Sequence, residues 1–101
     1  SIEQIMEEQF IYNLKIDDFA KLCGRSVSTF KREFKKLYNS TPGKWLLSKR
    51  LNFARNLILQ TDLTVQEICY ESGFESDSHF IRSFKDKFGL VLIVAIISMF
   101  F

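Results

Sequence analysis

Residues 28–38, Ser28-Thr-Phe-Lys-Arg-Glu-Phe-Lys-Lys-Leu-Tyr38, recur at an offset of 50 as Ser78-His-Phe-Ile-Arg-Ser-Phe-Lys-Asp-Lys-Phe88. Ser, Phe, Arg, Phe and Lys are identical at five of the eleven positions, and both copies end on an aromatic residue. In the second copy Phe80, Phe84 and Phe88 fall at i, i+4 and i+8, and in the first Phe30, Phe34 and Leu37-Tyr38 repeat at helical spacing. That spacing places them on one face of a helix and leaves hydroxyl and cationic side chains on the other. Upstream, Leu14, Ile16, Phe19 and Ala20 align with Leu63, Val65, Ile68 and Cys69 at an offset of 49. The change of offset by one residue falls in the intervening turn, where an insertion costs little. Each half therefore reads as a short helix, a glycine-containing turn and a longer helix with a polar, basic stripe.

Working outward, Ile2, Ile5, Met6 and Gln9-Phe10 predict a short amphipathic helix ending near Asn13. Ile16 to Cys23 predicts a second, with Asp17 or a neighbour as its cap and Ile16, Phe19, Ala20 and Cys23 on one face. Gly24 stops it, because glycine adopts the left-handed conformation that ends helices. Ser26 is an N-cap for the next helix, whose Phe30, Phe34 and Leu37-Tyr38 repeat at helical spacing. Thr41 caps a long helix with Pro42 in its first turn, running to about Gln60. Thr64 caps a helix reaching Glu71, Gly73 interrupts, and Ser76 or Asp77 caps a last helix that Gly89 ends. The expected fold class is all-α: two tandem helix-turn-helix units, at about 14–39 and 63–89, joined by a connector helix at about 42–60.

Composition agrees with a helical globule. Apolar residues make up 47% of the 101 residues, and eleven Phe and one Trp supply bulk for a core. A single Pro and four Gly leave few turns, which favours long helices over many short strands. Cys23 and Cys69, both in apolar helical patterns, read as buried, reduced thiols of a cytosolic protein. Two distant cysteines and the single His79 assemble no zinc site, and no cofactor is expected. The opening Glu3, Glu7 and Glu8 do not read as a secretory leader.

Net charge is only +2, but its distribution is uneven. Residues 25–55 carry nine basic side chains and one acid, Glu33, for a net of +8; the segments before and after each carry −3. A basic block between acidic ends points to a localised contact with a polyanion. With Phe30, Phe34 and Leu37 assigned to the core, Ser28, Thr29, Lys31, Arg32, Lys35 and Lys36 project from the first longer helix. Short hydroxyls near its start suit base edges, and long cations beyond suit phosphates. Ser78, His79, Ile81, Arg82 and Lys85 occupy the matching face of the second. Ile81 stands where the first copy has Lys31, which implies an apolar contact such as a thymine methyl, or no base contact. Lys35, Lys36, Lys44 and Lys85 are the expected phosphate contacts. A helical protein-interaction module with an acidic partner is the competing class. One His, no Cys–His pair and no phosphate loop argue against an enzyme.

The stretch Asp17–Gly89 resembles the AraC/XylS family of bacterial transcription regulators. The residues that carry the resemblance are Phe19-Ala-x-Leu-Cys23, Ser26-x-Ser-x-Phe-x-Arg-x-Phe-Lys35, Thr41-Pro-Gly-Lys-Trp-Leu46 and Asp62-Leu-Thr-x-x-Glu-Ile68. The longest is Glu71-Ser-Gly-Phe-Glu-Ser-x-Ser-His-Phe-x-Arg-x-Phe-Lys-x-x-Phe-Gly89. The resemblance implies two recognition helices entering successive major-groove segments of double-stranded DNA. It places base contacts at Ser28, Lys31 and Arg32 and at Ser78, His79 and Arg82. It also implies a cytoplasmic, nucleoid-associated regulator, contact with RNA polymerase if an activator, and a separate effector-sensing or dimerisation domain that these residues do not supply.

After Gly89 the sequence departs from that family. Residues 90–101 read Leu-Val-Leu-Ile-Val-Ala-Ile-Ile-Ser-Met-Phe-Phe, uncharged and apolar at eleven of twelve positions. Twelve helical residues span about 18 Å, short of the roughly 30 Å hydrocarbon core of a bilayer. The expectations for this tail are a substitute last helix, self-association between copies, an altered reading frame, or the start of a membrane segment cut short. An altered end ordered by packing or by a neighbouring copy is the favoured one.

Overall fold

A computed structural model describes residues 1–89; the expectations for the tail, self-association among them, lie outside the described residues. Six helices follow in order: α1 (Ile2–Gln9), α2 (Ile16–Leu22), α3 (Val27–Tyr38), α4 (Pro42–Gln60), α5 (Val65–Glu71) and α6 (Asp77–Phe88). No strand occurs among the described residues. The chain divides into two compact units, Ser1–Lys49 and Arg50–Phe101, with the division inside α4.

In the first unit, α1 starts on Ser1, whose hydroxyl oxygen accepts the Gln4 amide, and buries Ile2 and Met6. It ends at Gln9, four residues before the Asn13 expected from the sequence. α2 buries Phe19 and Ala20. Of Asp17 and its neighbours, Asp18 supplies the capping side chain: its carboxylate reaches back to accept the Lys15 amide at 3.0 Å. Asp18 sits at the third helical position, from which a carboxylate can fold onto the N-cap amide; Asp17 cannot.

Gly24, at φ +68°, ends α2. Its amide donates to the Lys21 carbonyl at 2.9 Å while the Arg25 amide donates to Ala20 at 3.0 Å. This pair of bonds satisfies the last carbonyls of the helix and turns the chain sharply. Ser26 then accepts the Thr29 amide at 3.2 Å and opens α3. Such a cap contributes about 1 kcal/mol. Asn39 takes the left-handed conformation at φ 51° and closes α3, its amide donating to Lys35 at 2.9 Å.

Phe30 and Phe34 are fully buried among Ile2, Met6, Phe19, Ala20, Cys23 and Leu46. Leu37, expected in the core, is 50% exposed, and Tyr38 is turned inward instead. Tyr38 lies 4.4 Å from Phe34 and 5.2 Å from Trp45, centroid to centroid. The three rings pack on one another, and such ring pairs add about 0.5–1.5 kcal/mol beyond the apolar area they bury.

The second unit repeats these local devices. Thr64 and Glu67 form a reciprocal cap at 3.1 Å in each direction. Gly73, at φ +85°, ends α5, with Gly73 donating to Tyr70 and Phe74 to Cys69, both at 3.1 Å. Ser76 accepts the His79 amide at 3.1 Å and opens α6, so Ser76 is the cap and Asp77 the first helical residue. Phe74, Phe80, Phe84 and Phe88 form a run of ring contacts with centroids 4.5–5.6 Å apart. Leu51, Ala54, Ile58, Val65, Ile68, Cys69, Phe74, Phe80 and Phe84 are buried. Both cysteines are free and buried.

Candidate nucleic-acid interface

The cap, glycine turn and aromatic stripe together fix which way each longer helix faces. On α3, Phe30 and Phe34 point into the first core, so the opposite side must face solvent. Ser28, Lys31, Arg32, Lys35 and Lys36 are all exposed there. Thr29 is half-buried, and its side-chain oxygen accepts from the Ser26 hydroxyl at 3.0 Å, so it serves the cap before anything else. Lys44 is exposed in the first turn of α4, where the Thr41 side chain accepts its amide at 3.3 Å.

The positive block is narrower than its formal charge. Arg25 pairs with Glu33, and Lys49 pairs with Glu7 at 2.9 Å. Burial lowers the pKa of the Arg50 guanidinium below its usual value. The Arg55 guanidinium lies 5.8 Å above the Phe88 ring. Lys31, Arg32, Lys35, Lys36 and Lys44 are exposed cations, four of them on α3, and Arg55 is exposed beside its ring contact. Long, exposed cations on one convex helical face can reach phosphates on either side of a groove, and hydroxyls of the first turn can reach base edges.

On α6, Ser78, His79, Arg82 and Lys85 are exposed and Ile81 is half-buried. The His79 ring meets Phe74 edge-on at 5.7 Å, which holds it at the start of the helix. Acidic Glu75, Asp77 and Asp86 are exposed on or beside this helix, so its face is far less positive than that of α3.

Residues 19–92 match the protein family described as the helix-turn-helix domain. The chain is 32% identical to a transcriptional regulator of Chromobacterium violaceum described as containing an AraC-type DNA-binding domain, covering 88% of this chain and 80% of that one at a TM-score of 0.74. The chain belongs to the AraC-type helix-turn-helix family. DNA binding in transcription regulation is the activity to which that membership assigns the domain. Among curated relatives of this AraC-type chain, the virulence regulon transcriptional activator VirF of Yersinia enterocolitica is 32% identical over 88 residues. That match takes in 87% of this chain but 32% of VirF, so the chain spans about a third of that relative. The fold also matches the DNA-binding domain of the global transcriptional factor AdpA, solved in complex with a target DNA, at a TM-score of 0.84. There the identity is 24%, covering 93% of this chain and 90% of that one.

Sequence reasoning missed the role of Arg25. It sits in the turn, outside both helical patterns, and its partner Glu33 is eight residues on. The available signal was Glu33 itself, a lone acid among nine basic residues, which calls for a partner.

Proposed function

We propose that the AraC-type chain reads double-stranded DNA with two helices, α3 and α6, placed in successive major-groove segments. The observation that carries this reading is the duplicated presentation: Ser26 and Ser76 each cap a helix through the residue three positions on. Each helix then turns its Phe pair inward and a Ser and an Arg outward at matching positions, Ser28 and Arg32 in α3, Ser78 and Arg82 in α6. In this assignment Ser28, Lys31, Arg32, Ser78, His79 and Arg82 touch base edges. Lys35, Lys36, Lys44 and Lys85 touch phosphates. Thr29, committed to its cap, supports the base contacts from behind, and Ile81 offers a methyl-sized apolar contact.

The two units contribute unequally. Nonspecific affinity comes from cations neutralising phosphates, so α3 supplies most of it, while α6 supplies sequence discrimination at lower charge. We assign the chain to a longer cytoplasmic regulator acting at the nucleoid, on the strength of its DNA partner and the length of its relative. Activation by contact with RNA polymerase is the regulatory mode that the similarity to a named activator favours.

Selection of bound sites from random duplex DNA tests the reading. The expected site carries two blocks of restricted sequence roughly 10 base pairs apart, one helical repeat. Recovery of a single block would remove α6 from the account, and recovery of no preferred sequence would remove sequence-specific reading.

A further inference from the structure

The Arg25 side chain spans the turn between α2 and α3. Its Nη1 donates to the Cys23 carbonyl at 2.5 Å, at the end of α2, and its Nε donates to a Glu33 carboxylate oxygen in the middle of α3. Both partners are about one-third exposed, at 35% and 39%. One guanidinium therefore ties the last carbonyl of one helix to the flank of the next. In the second unit Phe74 takes the corresponding place, buried against Phe80 and His79, and Glu33 is replaced by buried Ser83. The two turns are held by different chemistry, ionic in the first and aromatic in the second.

Glu33 lies on the flank of α3 between the buried Phe stripe and the cationic face. Left unpaired, a carboxylate there would repel phosphates and attract Lys36 one turn away. From this geometry we infer that Arg25 is a positioning residue for DNA recognition: it fixes the angle at which α3 leaves the turn and keeps Glu33 withdrawn from the groove-facing side chains. A guanidinium suits this task because its fixed fork reaches two acceptors at once, which an ammonium does not. The inference rests on the DNA-binding reading above, and for Glu33 it makes a prediction of opposite sign from simple charge counting. Counted as charge, Arg25 attracts DNA and Glu33 repels it. Counted as a brace, both help.

The test uses the full chain in three forms, Arg25→Gln, Glu33→Gln and the exchanged pair Arg25→Glu with Glu33→Arg. Binding is measured to a selected duplex and to a scrambled one across salt concentrations. Hydrogen exchange of the α3 amides is measured without DNA. The brace predicts that each single change lowers the selected-to-scrambled affinity ratio about tenfold, the loss expected when one base contact is misplaced. It predicts an unchanged salt slope and faster exchange in the first turn of α3. The exchanged pair restores the ion pair but leaves the Cys23 carbonyl without its donor, so it recovers the ratio and the protection in part, above either single change. Exchange rates read the brace independently of DNA, and the ratio for the unaltered chain reads the DNA-binding assignment independently of the brace. Tighter binding of Glu33→Gln to both duplexes alike would overturn the inference. So would a loss of about one unit of salt slope in Arg25→Gln with its ratio intact, because that marks a phosphate contact.

Discussion

The Lys49 ammonium lies 2.9 Å from a Glu7 carboxylate oxygen and ties α4 to α1. The same ammonium sits 5.6 Å from the Phe10 centroid and 5.7 Å from that of Trp45. α1 is thereby held against the first unit by charge as well as by burial of Ile2 and Met6. Both charged groups are partly exposed, so the ion pair contributes at most about 1 kcal/mol and weakens with salt.

Lys49→Met is expected to lower the stability of the first unit by about 1 kcal/mol, with the ring contacts adding to the ion pair. Fluorescence of Trp45, the single tryptophan, follows that unit during denaturation. Because Lys49 is occupied within the protein, the salt slope of DNA binding should not change. A slope reduced by about one unit would show that Lys49 meets a phosphate instead.

Gly24→Ala isolates the cost of the first turn. A Cβ at Gly24 would meet nothing within 4 Å, so crowding plays no part. The φ of +68° is the whole penalty, about 1–2 kcal/mol for an L-residue with a Cβ. Gly24→Asn should recover part of it, since asparagine tolerates the left-handed region. Equal stability of Gly24→Ala and the unaltered chain in urea would contradict this account of the turn.

Much of this architecture is legible in the sequence because its determinants are local. Ser26, Thr41, Thr64 and Ser76 each lie three residues before the amide they cap, and Gly24, Gly73 and Gly89 each take a positive φ at a helix end. The failures are equally physical. Leu37 and Tyr38 are adjacent, so periodicity alone does not decide between them; Trp45, from another helix, does. The brace between Arg25 and Glu33 crosses a turn, where no spacing rule connects the partners. Charge counting put nine cations in one block, whereas pairing with Glu7 and Glu33 occupies two of them.

Burial raises the thiol pKa of Cys69 from 9.0 to about 12, with the Asp77 hydrogen bond and charge adding to it. Cys23 also moves up, through burial, against the opposing pull of Arg25. A raised folded-state value means that folding favours the neutral thiol. Stability is therefore unaffected below about pH 9 and is lost as pH rises from there toward 12. Thermal midpoints measured from pH 7 upward should be flat and then fall in that window. At pH 8, alkylation of Cys69 should be slow in the folded chain and fast in urea. Rapid alkylation without unfolding would show that Cys69 is accessible.

The central claim is that α3 meets DNA through separate base-reading and phosphate-neutralising side chains. Affinity for a selected duplex against salt concentration, compared for the unaltered chain, Arg32→Ala and Lys35→Ala, tests it most directly. Arg32→Ala should cost about 1–3 kcal/mol and relax preference at one base pair. Lys35→Ala should weaken selected and scrambled duplexes alike and reduce the salt slope by about one unit. Affinity independent of salt and untouched by either substitution would contradict the account.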